Sequence, residues 1–163
     1  MATTDTTVAP VRDVPDLGEA RGLFRAYAGA IDFDLAYQGF EGELAALPGV
    51  YAPPRGVLLL ARDRRGRAVG CAGVRPHAIE GACELKRLYV LPAARGTGAG
   101  GALMRAALGF AGVTGYRQMR LDTLPTMREA AVLYRRLGFE PVPAPPEDAG
   151  LGQLYFARAL ARG

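Results

Sequence analysis

A chain of 163 residues, half of them hydrophobic, can bury a real core without disulfide or metal staples and fits one domain spanning residues 1–163. Its formal charge of +4 and pI near 9.4 come almost wholly from arginines spread between Arg12 and Arg162, with Lys86 the only lysine; neither a basic run nor an interleaved aromatic platform is present, which argues against a nucleic-acid partner. Cys71, Cys83 and the single histidine, His77, are too few and too dispersed for a metal site, and the thiols read as small buried side chains in neighbouring strands.

The opening MATTDTTVAPVRD has neither the basic nor the apolar segment of a leader, and no apolar run approaches membrane-spanning length, so a cytoplasmic protein with no membrane partner is expected. Residues 1–6 are expected to fray, and Val8 to Arg12 alternates as a short first strand. Pro15 in a first turn, with Leu17, Ala20, Phe24 and Tyr27 on one face, predicts a scaffold helix reaching Ala30. Ile31 to Gln38 mixes acids and aromatics without a period and suits a substrate cleft; Gly39 to Leu47 predicts a second short helix, ended by Pro48-Gly49. Gly56 to Arg62 and Ala68 to Arg75 predict strands joined at Asp63 to Arg67, and Cys83 to Val90 predicts a third, the three pairing antiparallel because no helix separates them. A helix from about Gly98 to Gly112 follows, with Leu103, Ala106, Ala107 and Phe110 on one stripe. Gln118 to Leu124 then predicts a strand parallel to the one before that helix. Met127 to Leu137 predicts a last helix, capped by Gly138, before a strand at Phe139, a proline-rich loop and a final strand over Leu151 to Leu160.

The stretch from Glu84 to Met104 organises the chain: a strand ends at Val90, Leu91-Pro92 breaks it, and a glycine-rich turn opens a helix. A helix start carries unpartnered N–H groups and the positive end of the macrodipole, so a phosphate is favoured there, and Gly96, Gly98, Gly100 and Gly101 let it approach the backbone.

Arg95-Gly96-Thr97-Gly98-Ala99-Gly100 resembles the Arg/Gln-x-x-Gly-x-Gly/Ala pyrophosphate loop of the GNAT N-acetyltransferase superfamily. Leu88-Tyr89-Val90 stands at the matching strand position, and Ala130 to Phe139 resembles the family's late helix and following strand. The order of elements agrees over roughly residues 8 to 160. The resemblance implies an α/β fold of the α+β kind, with a mixed, mostly antiparallel sheet of about seven strands, about four flanking helices, and strands splayed at the CoA site. It implies acetyl-CoA as the cofactor, held by the backbone of Leu88 and Val90 beside Tyr89, by Arg95, Gly96, Thr97, Gly98, Ala99, Gly100 and Gly101, and by Tyr134. It also implies direct transfer, in a ternary complex, to an amine of a small molecule or peptide, by a monomer or homodimer.

That chemistry needs an unprotonated amine, a donor for a developing oxyanion, and a proton for the departing thiolate. By resemblance, the Val90 N–H is the oxyanion donor and Tyr134 the acid, although Tyr134 also fits as a buried aromatic on an apolar helix stripe. Glu84 is the candidate base, six residues before Val90, so that on an unbroken strand both share a face. It fits equally as an ion-pair partner of Lys86 or Arg87, and Asp122 on the next strand is the alternative base. Substrate contacts are expected from Phe33, Asp34, Tyr37, Gln38 and Phe40, joined by Arg75 and His77 after the third strand; His77 also fits as a hairpin-end polar residue.

Two other readings compete. Gly96-x-Gly98-x-x-Gly101 with Asp122 beyond it satisfies a dinucleotide fingerprint, but the antiparallel meander comes first and too little chain follows for a doubly wound sheet. An acyl-CoA-binding sensor that performs no transfer keeps the same loop.

Overall fold

The computed structural model describes residues 5–31, 34, 35 and 39–161. Seven strands, β1 (Thr7–Pro10), β2 (Val57–Arg62), β3 (Ala68–Pro76), β4 (Ala82–Val90), β5 (Gln118–Thr123), β6 (Glu140–Val142) and β7 (Leu154–Ala159), form one sheet in the order β1-β2-β3-β4-β5-β7-β6. All neighbours are antiparallel except β4 and β5, which α3 (Ala99–Thr114) connects as a crossover. The other helices are α1 (Val14–Ala30), α2 (Phe40–Ala46) and α4 (Arg128–Arg136). No helix among the described residues is long and apolar enough to cross a membrane.

Most expected boundaries hold to within two or three residues. The late chain differs: the strand begun after Phe139 is only three residues long and lies at the sheet edge, while β7 passes between it and β5. Pro141 has no N–H to give a ladder, which suits an edge, whereas β7 pairs over six residues from Gln118↔Ala159 to Thr123↔Leu154.

Each sheet face has its own core. On one, α3 packs Leu103, Met104, Ala107 and Ala111, all fully buried, against Leu59, Val74, Leu85, Leu121 and Phe156. Burial of each large aliphatic side chain contributes about 1.5–3 kcal/mol. On the other, α1 and α2 place Phe24, Phe40 and Leu44 over Leu58, Leu60, Cys71 and Tyr89. Asp13 starts α1 by accepting the Asp16 N–H at 2.9 Å, and Arg62 of β2 pins that end through Asp16 (2.7 Å) and Glu19 (3.0 Å). Tyr51 lies flat across β3 at Gly73, where a Cβ would stand 2.6 Å from the ring, so only glycine fits. Cys71 and Cys83 are buried in adjacent strands, as expected.

β4 is irregular where it matters most. Cys71 faces Tyr89, but Gly73 faces Lys86, so β4 carries an extra residue, and Arg87 there adopts the left-handed φ of 61°. Because side chains alternate along a strand, the bulge reverses the faces beyond it: Leu85 and Leu88, three residues apart, both pack on the α3 side.

Candidate active site

The parallel pairing of β4 with β5 runs only from Ala82↔Gln118 to Leu85↔Leu121. Beyond Lys86 and Asp122 the strands part, and a cleft of about 790 Å³ opens between Leu88 to Val90 on one side and Leu124, Met127 and Leu133 on the other. The Leu91 N–H donates to Val69 O at 2.8 Å, so by alternation the N–H and C=O of Val90, and likewise of Leu88, point away from β3 into this opening. Arg95 Nε bonds the Val90 carbonyl there, at 3.2 Å.

The floor of the cleft is the start of α3. Gly98 occupies its N-cap at φ 87° and supplies no capping side chain, which leaves the first amide groups of the helix bare. Arg95, Gly96, Gly98, Ala99 and Gly100 line the cleft. Thr97 instead closes the turn, its Oγ1 donating to Ala94 O at 2.6 Å, and Gly101 faces the Arg105 side chain. Sequence reasoning missed the wall formed by Thr126 to Ala130 at the start of α4, which carries neither glycine nor a phosphate-loop pattern to mark it.

Past Leu88 the cleft narrows to a pocket of about 30 Å³, room for a water or two. Tyr134 lines it from α4, Tyr27 from α1, Lys86 and Arg87 from β4, and Asp122 from β5. Tyr134 is buried against Phe139 and Phe156, at ring separations of 6.0 and 6.1 Å. Burial, with the Tyr27 phenol and the Asp122 carboxylate nearby, holds its hydroxyl well above the usual phenol range. Burial also pushes the Tyr27 phenol up, against the Arg87 guanidinium that pulls it down. Tyr27 was expected in scaffold; its position on the α1 core stripe hides that its tip reaches past the core.

The polar groups here form ladders across the sheet. Arg75, Glu84 and Arg120 stand in register on β3, β4 and β5, with Arg75 Nη2 on Glu84 Oε2 at 3.2 Å. In the adjoining row Lys86 Nζ reaches Asp122 Oδ1 at 3.2 Å and Glu84 Oε1 at 3.5 Å. Gln153 Nε2 donates to Asp122 Oδ2 at 2.6 Å, and the Tyr155 hydroxyl joins Gln153 and Asp148, at 2.9 and 2.7 Å.

The spacing argument for Glu84 fails on this geometry. Val90 lies beyond the bulge and packs toward α3, whereas Glu84 lies before it on the opposite face, held between Arg75 and Lys86. Asp122, one row nearer the cleft, lines the pocket; Glu84 does not. The remaining expected substrate residues scatter. Phe40 is buried beneath the Arg87 guanidinium, 5.1 Å from its ring, and Arg75 is spent on Glu84. His77 closes the β3–β4 turn, its Nδ1 accepting the Ile79 N–H at 3.0 Å, and burial lowers its pKa. Asp34 is exposed, and Phe33, Tyr37 and Gln38 lie outside the described residues. Arg135 and Arg136 are exposed on α4.

Residues 54–141 match the model of the acetyltransferase (GNAT) domain. An uncharacterized N-acetyltransferase of Schizosaccharomyces pombe is 37% identical over 140 residues, which cover 86% of each chain. Among solved structures, a GCN5-related N-acetyltransferase from Kribbella flavida superposes with a TM-score of 0.75, at 24% identity, over 96% of this chain and 98% of its own. A phosphinothricin acetyltransferase from Sinorhizobium meliloti, in complex with AcCoA, does so with a TM-score of 0.72, at 22% identity, over 98% and 90%. With a family model covering more than half its length and a relative this similar along most of it, the chain belongs to the GNAT N-acetyltransferases.

Proposed function

We propose that this acetyltransferase takes its acetyl group from acetyl-CoA and passes it directly, in a ternary complex, to an amine of a small molecule or peptide, working as a single domain. The observation that carries this reading is the strand edge of Leu88 and Val90, freed by the end of the β4–β5 pairing and leading straight to the bare start of α3. A pantetheine arm is an extended chain of amides that can pair with such an edge as a strand would, and a pyrophosphate suits the helix start below it. The S. meliloti relative, solved with AcCoA, supports the same occupant.

Bound acetyl-CoA supplies an activated acetyl group and a thiolate leaving group. The chain's own residues then have three tasks. Val90 aims a backbone N–H at the opening, where it stabilises negative charge without ordering a side chain. Tyr134 keeps its proton through neutral pH and can deliver it to the departing sulfur. Asp122 receives the amine, because it is the ladder carboxylate that lines the pocket, with Lys86 and Gln153 holding its two oxygens and Glu84 behind it. Direct transfer is favoured over a cysteinyl intermediate because both thiols are buried, and burial pushes Cys83 up to about 12.

Thiol release from acetyl-CoA, measured across a panel of small amines, peptides and aminoglycosides, tests the reading. Release that depends on an amine is expected. Tight acetyl-CoA binding without turnover on any of them would favour a sensor instead.

A further inference from the structure

The glycine turn and the parting strands account for the donor cleft, but not for Arg87. Arginine has no preference for the left-handed region that this residue occupies in the bulge, so something outside the strand has to hold it there. Its side chain is 2% exposed and forks onto Glu43 of α2, with Nε on Oε2 at 2.9 Å and Nη2 on Oε1 at 3.1 Å, while its guanidinium covers Phe40 of the same helix. Burial works against the cation, but Glu43 more than offsets it and raises the guanidinium above its ordinary value. A two-bond fork between buried ions fixes direction as well as distance. Neither Glu43 nor Phe40 lines the donor cleft.

The bulge decides which way the backbone beyond it faces. Were it to relax into regular strand, everything from Leu88 to Val90 would slip by one residue, and the N–H groups now aimed at the cleft would turn toward β3. We propose that Arg87 is a positioning residue for the donor: its ion pair with Glu43 locks the bulge that turns the Leu88 and Val90 edge toward acetyl-CoA. The inference rests on the cleft being the acetyl-CoA site.

The test is calorimetric titration with acetyl-CoA, since the chain has no tryptophan to report binding. Each variant is titrated well below its own melting midpoint, so that lost stability alone leaves the affinity unmoved. Glu43→Gln lies outside the donor cleft, yet should weaken acetyl-CoA about tenfold, the loss expected when a hydrogen-bonding edge is misaligned. Breaking one half of a buried pair can unfold a small protein, so the deciding variant removes both charges, as Arg87→Met with Glu43→Leu, an exchange that buried pairs often tolerate. That protein should melt near the wild type and still bind acetyl-CoA about tenfold more weakly. Wild-type affinity in the stable double variant overturns the role of Arg87. A wild-type chain that fails to bind acetyl-CoA overturns the cleft assignment itself, which is a separate result.

Discussion

The cleft proposed for the donor and the small pocket proposed to receive the amine meet at Leu88 but are made of different material. The cleft is wide, about 790 Å³, and its specific groups are backbone: the free edge of β4 and the bare first turn of α3. The pocket is narrow, about 30 Å³, and its specific groups are side chains from five elements or loops, several committed to ion pairs with one another. A backbone site tolerates most substitutions so long as the chain path survives. A side-chain site changes chemistry with each substitution. One fold can therefore keep its donor while its acceptor varies, and mutations on the two sides should separate in kind.

Tyr134→Phe should give the largest effect, because it removes a proton and little else. A kcat lower by about 100-fold is expected, with the KM for acetyl-CoA within about threefold, the signature of an interaction made in the transition state. The pH profile adds a check with a definite sign. A phenol held above its usual value of about 10 stays protonated through neutral and mildly alkaline pH, so an acid of this kind gives kcat no falling limb below about pH 10. A falling limb near pH 8 that vanishes in Tyr134→Phe would show the hydroxyl titrating far below its raised value, whereas an unchanged kcat in Tyr134→Phe would break the assignment of the acid.

The two carboxylates of the ladder come next. Asp122→Asn should lower kcat by roughly tenfold to 100-fold, while Glu84→Gln, one row farther out, should change kcat by less than about fivefold. The reverse order would return the base to Glu84.

The contrast between cleft and pocket also explains what could be read in advance. The turn from Arg95 to Gly101 was legible because backbone recognition leaves glycines in the sequence, and the antiparallel meander was legible from short apolar runs without helices between them. The shared face expected for Glu84 and Val90 was not legible because parity along β4 holds only for a regular strand, and no residue type announces a bulge at Arg87, an arginine in a conformation that favours glycine. Gln153 and Tyr27 were missed for a related reason: each sits in an ordinary loop or helix pattern and becomes part of the pocket only when β4, β5, β7 and α1 converge. The insertion of β7 between β5 and β6 brings Gln153 to Asp122, and local periodicity says nothing about strand order.

On the donor side, Gly98→Val forces a β-branched side chain into φ 87° at the mouth of α3. The strain of about 1–2 kcal/mol should appear as a loss in acetyl-CoA affinity of roughly fivefold to 30-fold, with kcat at saturating donor little changed. A fall in kcat instead would mean that the turn shapes the acceptor pocket as well, and the division between the two sites would blur.

Arg95→Ala should do least, although Arg95 is the most conspicuous charge of the turn. Its side chain is exposed, and its Nε already bonds the Val90 carbonyl at 3.2 Å while the guanidinium stands 5.9 Å from the Tyr89 ring. An exposed cation contributes at most about 1 kcal/mol to an anion, and salt screens it over about 10 Å at 0.1 M. The variant should therefore raise the KM for acetyl-CoA by no more than about fivefold at low salt, with the difference fading toward 0.5 M sodium chloride, where wild type and variant converge. If the loss reached 100-fold and resisted salt, the donor would be held chiefly by a desolvated side chain, and the cleft would have to be counted with the pocket as a site built from side chains.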